Sequence, residues 1–457
     1  MHFTKLYQYF IIFFFIFILF TYNVEASNFW IRDKDNRAII LHGLNISNAA
    51  KRIENQISWH TFDDYKRMSS DWGFNCIRLL IFWSAIEPDS GVFNETYLNL
   101  VEERINWADD LGLYVILDMH QDLYSGKFGG DGAPYWAVWD DGLTYTQIKP
   151  WWLNYIQPAV CRAFHNFWTK KELQTHFINS WVQVAKRFSE NSAVIGYEIL
   201  NEPYFGNFLP WKFENIHLKN FYLTVIDEIR NVDQNHYIFY EPQIMTNSGF
   251  KSYLSNLNSE KVVYAPHFYQ PSVHEGFPYL GFPFFIKRTL YMRNNDAEKV
   301  NVPWILGEFG VNKDLFGGKL YLKNILNILN THIASWTYWA YDYDTQNEFG
   351  IINESDYENM QLDYLVYPYP QKIAGDPLGF CYNYKSKIFS LKFKDNSSVY
   401  GPSEIYIGQS RIYPEGFSIY CSDLNETWNW EYSSSNDRIL VWTNSTNKIH
   451  RIEIKPN

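Results

Sequence analysis

The chain has 457 residues, a formal net charge of −11 and an aromatic fraction of 19%. That length exceeds one average domain and suits a barrel of about 250 residues or more with a smaller module attached; the acidic balance excludes nucleic acid as a partner. Four cysteines are too few for a disulfide-built fold, and no CxxC or HExxH spacing occurs, so the sequence calls for no metal and no other cofactor.

In chain order, the apolar run 10–20 follows Lys5 and gives way to Val24-Glu25-Ala26, the pattern of a cleaved secretory leader. Residues 1–26 are therefore predicted to be a signal peptide, and the net charge survives its loss because Lys5 and Glu25 leave together. A membrane anchor is the rival reading, but a span needs about 20 apolar residues, and Thr21, Tyr22 and Asn23 break the run. The expected destination is the medium or the lumen of the secretory pathway, extracellular or lysosomal. Sequons at Asn45, Asn94, Asn353, Asn396, Asn425 and Asn444 fit that route. Asn45 is expected to stay bare, because it ends the first strand and would point into a barrel; Asn396, Asn425 and Asn444 are the favoured glycan positions.

Eight short apolar runs follow, at 39–45, 75–81, 114–119, 194–199, 237–240, 262–267, 304–308 and 336–341, separated by amphipathic stretches such as 97–111 and 177–188. Eight strands with helical crossovers predict a (β/α)₈ TIM barrel, placed at residues 27–370. Polar residues end most of the runs: Asn45, Arg78, His120 with Asp122, Asn201 with Glu202, His267 and Glu308. In a parallel barrel all these ends converge on one face, where such enzymes place their chemistry. The connection 123–170 is long and crowded with aromatic residues, which predicts a wall of the binding cleft. Residues 371–457 alternate apolar and polar positions with polar turns, the pattern of a small antiparallel β-sandwich. Cys76 is expected to be a free core thiol, and Cys381 and Cys421 are placed to pair in the C-terminal module.

Glycosidic bonds are commonly cleaved by two carboxyls, one protonating the leaving oxygen and one attacking the anomeric carbon. Asn201-Glu202-Pro203 after the fourth run and Gly307-Glu308-Phe309-Gly310 at the end of the seventh supply one each. Asn-Glu-Pro alone is a weak signal; the pair at matching strand ends is a strong one. The predicted roles are Glu202 as general acid/base and Glu308 as nucleophile.

These motifs, together with His42-Gly43-Leu44-Asn45, Asn75-Cys76-Ile77-Arg78-Leu79, Asp118-Met119-His120-Gln121-Asp122, Ala265-Pro266-His267-Phe268-Tyr269 and Trp336 to Asp342, resemble glycoside hydrolase family five. Asp118 to Asp122, followed by Tyr124-Ser125 and Gly132 to Ala137, makes the chain more similar to the endoglycoceramidases of that family than to its cellulases. The resemblance implies hydrolysis of the β-linkage between glycan and ceramide with net retention and no metal. It implies that Arg78 and Tyr269 bond the nucleophile and that Asn201 bonds the sugar 2-hydroxyl. Lys51, His120 and Asp122 are assigned to the glycan, Trp339 to a stacking platform, and His267 to the same substrate-binding set. The implied partners are a glycosphingolipid, a transient membrane or micelle surface, and an activator or detergent-like helper. Two alternatives stand beside this: the same chemistry on soluble β-glucans or other glycosides, and a catalytically silent glycan- or lipid-binding protein. Aromatic residues of the loop after the third strand, Trp136, Trp139, Trp151 and Trp152, are expected to meet the lipid.

Overall fold

The computed structural model describes residues 30–444 and 448–457. The predicted leader and the cleavage site at Ser27 lie outside the described residues. A two-residue strand, β1 (Ala38–Ile39), precedes eight parallel strands: β2 (His42–Ile46), β3 (Cys76–Ile81), β4 (Tyr114–Met119), β5 (Val194–Glu198), β6 (Tyr237–Tyr240), β7 (Val262–Tyr264), β8 (Ile305–Leu306) and β9 (Ser335–Tyr338). They pair in the order β7-β6-β5-β4-β3-β2-β9-β8, and a parallel bridge between Tyr264 and Trp304 joins the two edges into a barrel.

The crossovers are helical for reasons visible in their sequences. Helix Glu95–Asp110 starts where the Asn94 side chain accepts from the Tyr97 N–H at 3.1 Å, satisfying one of the free donors of the first turn. Helix Lys171–Phe188 buries Leu173, Phe177, Trp181, Val184 and Phe188, spaced three or four apart, against the barrel.

Inside the barrel, alternate strand residues share a face. Cys76, Ile116, Phe239 and Val263 form an apolar plug with Ile39, Leu41, Ile195, Ala265 and Ile305. Two residues further along three of the same strands come Arg78, Asp118 and Glu241, so the interior changes from apolar to ionisable within one step of the pleat. That step sets the floor of the site. Cys76 is a buried free thiol, as expected.

The C-terminal domain is two antiparallel sheets. One orders β1, β10 (Tyr369–Ile373), β13 (Ser403–Tyr406), β16 (Arg438–Thr443) and β15 (Trp428–Ser433); the other orders β11 (Asp376–Asn383), β12 (Ile388–Lys394), β17 (Ile449–Pro456) and β14 (Phe417–Cys421). Two expectations are corrected here. The run 39–45 is not one strand: Ala38 and Ile39 pair with Ile373 and Lys372 of the C-terminal sheet, and only His42–Ile46 belongs to the barrel. Cys381 and Cys421 are both free, because they sit on β11 and β14 with two strands between them.

The domains are locked together. His42 stacks between Trp336 (4.3 Å) and Tyr369 (3.9 Å), and the Tyr369 hydroxyl and Gln371 amide both donate to the Gly73 carbonyl at 2.9 Å. Gly73 is a position only glycine fills: its φ is +66° and a Cβ would lie 2.1 Å from the Tyr406 ring.

Candidate active site

Arg78 stands at the centre of the floor, fully buried. Its Nε and Nη2 donate to the two Glu198 oxygens at 2.9 and 3.0 Å, Nη1 to Asn45 Oδ1 at 2.8 Å and to Glu308 Oε1 at 2.7 Å, and Nη2 to Asn201 Oδ1 at 2.9 Å. Asp118 and Glu241 approach Nη2 at 3.1 and 3.5 Å. Burial works against charge on Arg78, but Asp118, Glu198 and Glu308 outweigh it and hold its pKa well above the ordinary arginine value. Burial likewise opposes ionisation of Glu198, and Arg78 overcomes it, leaving Glu198 below the usual carboxyl range. Asp118 and Glu241 are both pushed well above the usual carboxyl range by burial, which Arg78 opposes at Asp118 and the Glu198 charge reinforces at Glu241. Arg78 and Glu198 thus form the tightest ion pair of the floor, with the raised carboxyls of Asp118 and Glu241 beside them.

Above this floor lie the two predicted catalytic carboxyls. Glu308 Oε1 accepts from Arg78 and Oε2 from the Tyr269 hydroxyl at 2.9 Å. Burial raises Glu308, while His267 and Arg78 pull it back toward the anion a nucleophile requires. Glu202 Oε1 accepts from Asn247 Nδ2 at 2.6 Å and faces His267 Nδ1 at 2.9 Å, which leaves Oε2 to carry the acid proton toward the cleft. Burial first, and then Asp122, raise Glu202 to about 8, which suits the general-acid role expected of it at neutral pH. Donor oxygens of Glu202 and Glu308 lie within 4.8 Å of each other and of the His267 ring nitrogen. That closeness suits a retaining pair, separated by about 5–5.5 Å, and not an inverting one at about 6.5–9.5 Å.

Two local features hold this pair in place. Glu202 has φ +44°, a left-handed conformation costly for a side-chain-bearing residue; Gln121 Nε2 clamps the turn by donating to the Asn201 and Glu202 carbonyls at 2.8 and 3.0 Å. Ahead of the nucleophile, a Cβ on Gly307 would meet His267 Nε2 at 2.8 Å, so the glycine before Glu308 is what lets the imidazole slide beneath it.

The other predicted residues form one side of the cleft. Lys51 Nζ bonds Asp122 Oδ2 at 2.6 Å and lies 4.4 Å over the Trp339 ring, which stacks on His120 with centroids 5.5 Å apart. Burial opposes ionisation of Asp122, yet Lys51 outweighs it and keeps it strongly acidic; burial and Lys51 together keep His120 neutral. Arg78, His267 and Asn201 lie beneath the carboxyls instead of in the open cleft, and the Asn201 amide bridges Arg78 and the Gln121 carbonyl. Asn45 is fully buried, its amide donating to the Gly307 carbonyl at 3.1 Å and accepting from Arg78, which leaves no room for a glycan. Asn425 and Asn444 are exposed, whereas the Asn396 amide is tied to Asp376 at 3.1 Å.

Among the described residues, three groups, His120 with Asp122 and Asp131, Glu198 with Glu241 and His267, and Glu202 with His267 and Glu308, bring ligand-type atoms close enough for a cation. In the first the Lys51 ammonium already supplies the positive charge, and in the others Arg78 does. The charge requirement of each cluster is met by the chain's own side chains.

Sequence reasoning did not single out Asn247, Gln121, Glu198 or Glu241. Glu241 carried a usable signal, since it follows the fifth run as Glu202 follows the fourth, and Gln121 stands inside the motif Asp118 to Asp122. The loop 123–170 holds more structure than expected: short turns at Gly126–Phe128, Tyr135–Ala137 and Trp151–Ile156, then helix Pro158–Thr169. Tyr155 ties it to the cleft through Asp122 at 3.4 Å. Trp136 and Trp139 are half-buried against the core, with Trp136 Nε1 on the Glu87 carbonyl; only Trp151 and Trp152 of the four are exposed.

The two carboxyls set a pH profile. With Glu308 as nucleophile and Glu202 as acid, kcat/KM should rise as Glu308 loses its proton and fall as Glu202 loses its own near pH 8. With an aryl glycoside whose leaving group needs no protonation, the alkaline fall should flatten. An unchanged alkaline limb would assign that titration to another group.

The arrangement agrees with what the chain is similar to. The family model for cellulase (glycosyl hydrolase family 5) matches residues 33–345, and that for the glycoside hydrolase family 5 C-terminal domain matches residues 368–454. An endoglycoceramidase of Hydra vulgaris is 26% identical over 427 residues, covering 85% of this chain and 79% of that one. Among solved structures, endo-glycoceramidase II from Rhodococcus sp. in an iminocyclitol complex superposes with a TM-score of 0.87 at 30% identity, over 94% of this chain and 99% of that one. The same Rhodococcus enzyme has been solved with ganglioside GM3 (TM-score 0.86, 30% identity, 94% and 100% coverage) and as a lactosyl-enzyme intermediate (TM-score 0.85, 30% identity, 94% and 99% coverage). Matched along both its barrel and its sandwich, and carrying two facing carboxyls, Glu202 and Glu308, just beyond β5 and β8, the chain belongs to glycoside hydrolase family 5.

Proposed function

We propose that this enzyme hydrolyses the β-linkage between the oligosaccharide and the ceramide of glycosphingolipids by double displacement. The observation that carries the reading is similarity across both domains to an enzyme solved with a ganglioside and with lactose covalently attached. Glu202 protonates the glycosidic oxygen from Oε2 as Glu308 attacks the anomeric carbon, releasing ceramide and leaving a glycosyl ester. Glu202, now a base, takes a proton from water, and the water oxygen displaces Glu308 to give the free glycan with retained configuration. Lys51, Asp122, His120 and Trp339 offer hydrogen bonds and a ring face to the sugars on one side of the pair.

The leader-like pattern of residues 1–26 supports a destination in the secretory lumen or medium, and a lipid substrate calls for contact with a membrane or micelle, which an activator or detergent would assist. The test is mass analysis of products from a mixed glycosphingolipid extract, with cellulose-type oligomers in parallel. Intact oligosaccharide plus ceramide is expected. Stepwise monosaccharide release, or turnover of the soluble oligomers alone, would replace this reading with a soluble-glycoside one.

A further inference from the structure

Among the described residues, a group of exposed apolar side chains stands on the segments that follow β7 and β8, running from their loops into the first turns of helices Phe284–Val300 and Gly318–Thr331. Phe277, Leu280, Phe282, Phe284, Phe316 and Leu320 are 43–75% exposed. Both loops leave the C-terminal ends of barrel strands and so share a face with the catalytic carboxyls. The first begins at the site itself: Tyr269, bonded to Glu308, lies eight residues before Phe277.

These side chains stand on a fixed base. The Tyr279 N–H donates to the Phe316 carbonyl at 2.9 Å, joining the two loops. The Tyr279 ring is buried edge-on to Tyr321 at 5.5 Å, and its hydroxyl accepts from Asn324 at 2.8 Å. Leu320 covers Gly281, where a Cβ would lie 2.8 Å from its Cδ2. Trp152 Nε1 donates to Glu275 Oε1 at 2.9 Å, so the exposed tryptophans of the loop after β4 adjoin the same knob.

Its charge is opposite to that of the chain. Residues 276–288 and 316–323 contain Lys287, Arg288, Lys319 and Lys323, all exposed, and no Asp or Glu, within a protein of net charge −11. The bordering acids are engaged, Glu275 by Trp152 and Asp314 by Lys313 at 3.0 Å. An apolar knob with a basic collar matches acyl chains beneath anionic headgroups. A second copy meeting it about a two-fold axis would set basic collar against basic collar.

We propose that this knob is a membrane-docking surface that seats the enzyme on an anionic lipid bilayer with the cleft mouth at the headgroups; it rests on the glycosphingolipid reading and names where that contact is made. The test uses flotation with vesicles free of glycosphingolipid, made of phosphatidylcholine with or without phosphatidylserine. The double variant F282S/F316S is expected to bind either vesicle about tenfold less than the wild type, and K287E/R288E to lose only the gain from phosphatidylserine. Both should keep wild-type turnover of a soluble aryl lactoside. Wild-type flotation by F282S/F316S would overturn the proposal. So would a wild-type dimer, seen by sedimentation without lipid, that F282S/F316S dissociates. Because these vesicles contain no substrate, failure to dock is read separately from failure of the substrate reading, which appears as no turnover of detergent-dispersed glycosphingolipid.

Discussion

Replacement of Glu308 by Gln is expected to lower turnover by several orders of magnitude while the fold stays intact, since the amide keeps the shape of the group and cannot attack the anomeric carbon. Replacement of Glu202 by Ala should be as damaging on natural substrates but should fail at a different step. With an aryl glycoside whose leaving group departs unprotonated, the Glu202 variant retains its first step and accumulates glycosyl-enzyme, visible as a mass shift on the intact protein; the Glu308 variant accumulates none. Azide should rescue the Glu202 variant with retained configuration, because the covalent ester is still attacked from the same face as water. Azide rescue of the Glu308 variant with retained configuration would reverse the assignment.

The second large effect concerns Arg78, the one cation among the buried acids of the floor. Arg78→Met should destabilise the protein by roughly 3–5 kcal/mol, the usual cost of leaving a buried charge without its partner, as well as abolish turnover through Glu308. The sign of its pH dependence follows from Glu198, whose pKa Arg78 holds below the ordinary value. In the wild type that ion pair contributes stability above the ordinary glutamate pKa and loses it as pH falls through the lowered one. The deficit of Arg78→Met should therefore be full at pH 7 and shrink toward acid, where Glu198 protonates at smaller cost. Thermal melts of both proteins from pH 7 downward measure it; a deficit constant with pH would mean that Arg78 acts through packing alone.

Much of the barrel was legible in the sequence because most of its strands are apolar runs ended by a polar residue. The runs 114–119 and 237–240 coincide with β4 and β6. The misreading at 39–45 has a physical cause. Ile39, Ile40 and Leu41 are apolar without interruption, and apolarity does not reveal that hydrogen-bonding partners change from sandwich to barrel between them. The catalytic pair was legible through Glu202 and Glu308 with their neighbours. The buried acids were not, because Glu198 and Glu241 stand in no motif, and their role exists only once three strands bring them to Arg78. The apolar knob was likewise hidden: tryptophans in 123–170 drew attention, yet half of those named are packed inward, while the most exposed rings follow β7 and β8.

The pairing of β1 with β10 also bears on how this protein is made. The segment that leads into the first barrel strand leaves the ribosome early, and its hydrogen-bonding partner is synthesised only after the whole barrel. Until then the His42 ring, the Gly73 carbonyl and the edge of β1 lack the groups that cover them. Contacts so distant along the chain form late and slowly, so the nascent barrel waits, unfinished at one end, for the sandwich to arrive. A chain cut short before β10 is therefore expected to lack the partner of its first strand and the cover of the Gly73 carbonyl, and so to be less stable than the whole.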